Sequence, residues 1–63
     1  MIITFKLYHR ENGYKCRVNT EEIKFFYGID SENIEDINIQ LTILNEPYYL
    51  EPLKEVKKAW TKH

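Results

Sequence analysis

The dipeptide Asn12-Gly13 constrains this chain more than any other feature, because alternating apolar and polar residues flank it on both sides. Both residues accept the positive φ that a tight hairpin turn demands. Before it, Ile3, Phe5, Leu7 and His9 fall on one face of an extended chain, and Thr4, Lys6, Tyr8 and Arg10 on the other. After it, Tyr14, Cys16 and Val18 alternate with Lys15 and Arg17. Period-two alternation marks a half-buried strand. A two-residue turn of type I′ would pair Arg10 with Lys15, His9 with Cys16 and Leu7 with Val18. That register puts Leu7, Val18, His9 and Cys16 together on the inner face.

A helix follows. Asn19 or Thr20 is a natural N-cap, with Glu21 and Glu22 at the positive end of the helix dipole. Ile23, Phe26 and Tyr27 share one helical face, Phe25 points to the opposite flank, and Gly28 suits the C′ position. Residues 30–36 read as an acidic loop. Ile37, Ile39, Leu41 and Ile43 alternate with Asn38, Gln40 and Thr42, which predicts a third strand. Asn45-Glu46-Pro47 is a turn, with Tyr48-Tyr49-Leu50 a candidate short fourth strand. Pro52 fits the first turn of a C-terminal helix lined by Leu53, Val56 and Trp60, with Lys57, Lys58 and Lys62 towards its end. The expected fold is α+β. It has a small antiparallel sheet, one short helix after the hairpin and a C-terminal helix, in a single domain over residues 1–63.

A core of this size supplies only about 3–5 kcal/mol of net stability. Cys16 is the only cysteine, so no intrachain disulfide reinforces it, and His9, His63 and Cys16 form no metal-ligand spacing. No metal and no cofactor are expected. A second subunit is the remaining way to add core, so a homodimer is expected. The uncharged Asn38, Gln40 and Thr42 would leave the third strand open to pairing with its copy. No apolar run approaches the ~18 residues of a membrane span, and the alternating N-terminus is unlike a signal peptide, so a cytoplasmic location is expected. The wealth of Ile, Lys, Asn, Glu and Tyr beside a single alanine, Ala59, suggests an AT-rich genome, such as a low-GC bacterium or its phage.

Enzymatic chemistry has little to work with. His9 and Cys16 are the one nucleophile–base pair, and both fall on the inner hairpin face, where a buried thiol beside a core histidine is the plainer account. No glycine-rich phosphate loop is present. The chain is therefore taken as a binding protein. One candidate surface is the outer hairpin face, where Lys6, Tyr8, Arg10, Lys15 and Arg17 could hold a nucleic-acid backbone with a base stacked on Tyr8. The other is the helix and the residues after it. The net charge of −1 hides an acidic middle between two basic ends. Glu21, Glu22, Asp30, Glu32, Glu35 and Asp36 lie in that middle, around Ile23, Phe25, Phe26 and Tyr27.

The segment Asn19-Thr20-Glu21-Glu22-Ile23-Lys24-Phe25-Phe26-Tyr27-Gly28, with the hairpin before it and acidic residues and a strand at Ile37–Leu44 after it, resembles a small family. It is similar to the dimeric uracil-DNA glycosylase inhibitors of small Bacillus phages, over residues 2–44. The resemblance implies a host-directed inhibitor. Its helix, doubled in a dimer, would form an apolar pocket for the side chain that the glycosylase inserts into DNA, while carboxylates imitate phosphates. Tyr27 and Gly28 match the family's positions. Ile23 stands where the family has a phenylalanine, and Lys24 where it has a glutamate. Glu21, Glu22, Asp30, Glu32, Glu35 and Asp36 would supply the mimicking charge. The chain from Asn45 to His63 has no counterpart in that resemblance.

Overall fold

The computed structural model describes residues 1–53. In chain order the elements are β1 (Thr4–His9), β2 (Gly13–Asn19), α1 (Thr20–Tyr27), α2 (Ile34–Ile43) and β3 (Tyr48–Pro52). The strands form one antiparallel sheet in the order β2-β1-β3. Both helices pack on one face of it. Phe5, Leu7 and Leu50 from the sheet meet Ile23 of α1, Ile29 of the following loop, and Ile37 and Leu41 of α2 in the core. The fold is α+β, as expected.

The hairpin forms, but not in the expected register. His9 pairs with Gly13, leaving a three-residue loop, and Leu7 pairs with Cys16 rather than with Val18. Within the turn only Gly13 has positive φ, at 85°, so this turn uses one left-handed residue where type I′ needs two. His9 explains part of this choice: its Nδ1 accepts from the backbone N–H groups of Glu11 and Asn12 at 3.1 and 3.3 Å. A second irregularity lies between Leu7 and Tyr8, where Lys15 is the extra residue of β2. Such a bulge reverses the side-chain alternation beyond it. Tyr14, expected on the inner face, is thereby turned to the outer face opposite Tyr8.

Helix α1 starts directly from β2. Asn19 closes the strand and caps the helix, accepting from the Glu22 N–H at 2.8 Å while the Glu22 carboxylate accepts from the Asn19 N–H at 2.9 Å. That reciprocal pair satisfies donors that no helical carbonyl can reach. Gly28 ends the helix in the left-handed region, at φ 71°.

The expected third strand at Ile37–Leu44 is wrong: this segment is helix α2. Its isoleucines fit both periods, since Ile34, Ile37 and Leu41 also recur at i, i+3 and i+7. Asn33 decides the matter locally by accepting from the Asp36 N–H at 3.0 Å, and Glu35 and Asp36 occupy the first turn. The third strand is the short segment Tyr48–Pro52, which lies along the free side of β1. Pro52 is therefore the last residue of a strand, not the first turn of a helix. The expected helix through Val56 and Trp60 lies outside the described residues.

Candidate functional site

Helix α1 presents the most exposed large apolar side chain of the two helices. Thr20 and Ile23 face the core, and a residue two places after Ile23 lies about 200° around the helix, on the far side. Phe25 is that residue, 82% exposed, and Phe26 beside it is 68% exposed. Their rings meet edge to face at 5.2 Å. Glu21 and Glu22 stand four and three residues before Phe25, on the neighbouring helical positions. An aromatic crest flanked by two carboxylates results.

The crest separates two hollows. One is a groove of about 240 Å³ between α1 and the hairpin. Ile23, Phe26 and Tyr27 line it from the helix, and Val18 and Cys16 from β2. Lys15 and Glu22 also line it. The other hollow lies on the Glu21 side and is lined by Glu21, Lys24, Asp30 and Glu32. Two of its carboxylates have cations of their own: Asp30 meets the Lys24 ammonium at 3.7 Å, and Glu32 meets the Met1 ammonium at 3.2 Å. Both pairs are exposed and contribute little to stability, so a partner's cation can compete for the carboxylates.

Tyr27 also borders a third hollow, with Gly28, Ile29, Gln40, Ile43 and Leu44. Apolar surface therefore runs from Phe26 past Tyr27 to Ile43 and Leu44, and Ile43 is 75% exposed. Burial pushes the Tyr27 hydroxyl above its usual phenol value, and the charge of Glu46 pushes the same way. Tyr27 thus stays neutral and able to donate a hydrogen bond across the alkaline range in which an ordinary tyrosine begins to ionise.

The site residues expected from sequence are thus divided. Glu21, Glu22, Phe25 and Phe26 gather on the outer side of α1, whereas Tyr27 is half-buried against the core and borders the groove. Glu32 lies in the hollow beside them, while Glu35 and Asp36 stand at the start of α2. Ile23 is only 1% exposed, so it is the floor of the groove and part of the core rather than a free contact. Sequence reasoning missed Val18 as a wall of this groove, and also the outward Ile39, Ile43 and Leu44, because the segment 37–44 was given the wrong period.

The expected buried His9–Cys16 pair does not exist. Cys16 is exposed and pairs with Leu7, while His9 caps the hairpin loop and stacks edge-on against Tyr48 at 5.2 Å. The Ile37–Leu44 strand of the inhibitor resemblance is a helix here, and the edge it would have offered to a dimer mate is absent. No helix among the described residues is long and apolar enough to cross a membrane. No family model, no curated protein and no solved structure matches this chain.

Proposed function

We propose that the chain is a docking protein that blocks a DNA-acting enzyme, a uracil-DNA glycosylase, through the outer side of α1. The observation that carries this is the Phe25–Phe26 crest, exposed to solvent and flanked by Glu21 and Glu22. Two adjacent exposed rings on a capped helix are poorly suited to a surface that meets only water, and aromatic anchors dominate protein interfaces. An enzyme that extrudes a base needs a positive groove for the phosphates and an apolar element to unstack the duplex. A surface complementary to it pairs carboxylates with an apolar recess. Here the recess is the groove floored by Ile23 and walled by Val18, Phe26 and Tyr27. Glu21 and Glu22 take the place of nearby phosphates, with Asp30 and Glu32 joining once their exposed ion pairs exchange. Glu35 and Asp36 extend the acidic surface onto α2.

The resemblance at residues 19–28 chooses the glycosylase among such enzymes. The test is excision of uracil from a duplex by glycosylases of low-GC bacteria, with the purified chain added at equal concentration. Excision should fall to a small residue of its starting rate. Undiminished excision by several such enzymes would remove the glycosylase from the proposal.

The proposal includes a homodimer. Ile39 and Ile43 of α2, with Leu44 just after it, form a second exposed apolar strip that a copy of the chain can cover. Sedimentation at micromolar concentration should give twice the chain mass of 7.7 kDa. A folded species at the single-chain mass would contradict the dimer and leave the α1 contact as a monomer's.

A further inference from the structure

The face of the sheet opposite the helices carries a row of tyrosines that alternation alone does not reveal. Cross-strand partners share a face, so Tyr14 of β2, Tyr8 of β1 and Tyr49 of β3 stand side by side across the sheet. Tyr8 and Tyr49 stack nearly parallel, with centroids 5.4 Å apart and planes 14° apart. Tyr14 meets Tyr8 edge-on at 5.6 Å and is itself 52% exposed. The bulge at Lys15 is what puts Tyr14 there.

Cations surround the row. Lys6 and Arg17 are direct partners in the next rank of the same face, although like charges placed opposite each other are unfavourable. Across β1 from Arg17, Glu51 is the one carboxylate of that rank. At the far end the Arg10 guanidinium lies 6.0 Å from the Tyr49 centroid, and its Nη2 donates to the Thr42 hydroxyl at 3.3 Å. Both contacts are exposed or at the limit of their kind, so Arg10 can turn towards a ligand.

We propose that this face binds single-stranded nucleic acid, with a base stacked on the open ring of Tyr14 and phosphates held by Lys6, Arg17 and Arg10. Charge complementarity selects the partner. A polyanion relieves the repulsion between Lys6 and Arg17, and an aromatic row beside a basic rank accepts bases of any sequence. A duplex keeps its bases stacked on one another and offers no free ring to Tyr14. Tyr8 and Tyr49 act behind Tyr14, fixing its ring by the stack. This site is on the face opposite α1, so it stands or falls apart from the docking proposal.

The test is fluorescence anisotropy of a labelled oligothymidylate, and of a duplex of equal length, with the full chain over a range of salt. The single strand should bind at low salt and the duplex much more weakly. Tyr14→Ala should weaken single-strand binding at least about fivefold, and Tyr14→Phe should restore it, because the ring and not the hydroxyl makes the stack. A Lys6→Gln, Arg17→Gln double variant should flatten the dependence of log K on log salt by about 1.4. Phe25→Ser with Phe26→Ser should leave oligonucleotide binding unchanged. Absence of single-strand binding at low salt, equal affinity for the duplex, or an unaltered Tyr14→Ala variant that circular dichroism shows folded would each overturn the assignment.

Discussion

Asn38→Leu is expected to remove about 2 kcal/mol of stability, a large share of what a domain of this size has. The Asn38 amide of α2 receives the Leu50 N–H at 2.8 Å and donates to the Leu50 carbonyl at 3.1 Å. Both main-chain groups of Leu50 therefore point away from β1, and Asn38 stands in for the backbone of a further strand. The side chain of Leu50 is in the core, 2% exposed, so its backbone position fixes the packing of Ile37 and Leu41 above the sheet. Leucine has similar volume but neither donor nor acceptor. It leaves two partly buried groups without their partner. Urea unfolding followed by circular dichroism measures the effect. A midpoint equal to the wild type's would show that water replaces the amide at no cost, and that β3 is held by its pairing with β1 alone.

Replacing Phe25 and Phe26 together by serine is expected to weaken capture of the glycosylase at least a hundredfold. Each anchor lost from an interface centre costs on the order of 2 kcal/mol. The same variant should unfold at nearly the wild-type urea concentration, because neither ring is in the core and surface substitutions usually change stability by less than about 0.5 kcal/mol. Glu21→Gln should act differently, slowing association and weakening its salt dependence while dissociation stays nearly constant. Biosensor rates for the three proteins measure both outcomes. Equal affinity of the double variant and the wild type would place the contact elsewhere on the chain.

How much of this was legible in the sequence depends on how local the cause is. Helix α1 was readable to within a residue, with its start left between Asn19 and Thr20, because Asn19, Glu22 and Gly28 fix its ends by short-range hydrogen bonds and a left-handed backbone. The hairpin was readable as an element but not in register. The choice between a two-residue and a three-residue loop rests on one imidazole, that of His9, and on a bulge at Lys15. Segment 37–44 was misread because isoleucine at alternate places satisfies a strand, while Ile34, Ile37 and Leu41 satisfy a helix. The outcome is fixed by Asn33 before it and by the strand Tyr48–Pro52 that takes the free edge of β1. Of the candidate site, the place of Phe25 opposite the core stripe of α1 was legible, but its exposure was not, since another element could have covered that flank. The groove beside it did not, since Val18 reaches Ile23 and Phe26 only through the packing of β2 beside the helix. Tyr14 escaped for the same reason as the register, since a one-residue shift exchanges the faces of a sheet, and Tyr49 because β3 reaches β1 by a long-range pairing.

Hydrogen–deuterium exchange of the full chain, alone and with excess uracil-DNA glycosylase, tests the docking claim most directly. Exchange should slow at Glu21–Tyr27 and at Val18, with Tyr8 and Tyr49 unchanged. Protection confined to the tyrosine face of the sheet, or none at saturating enzyme, would contradict it.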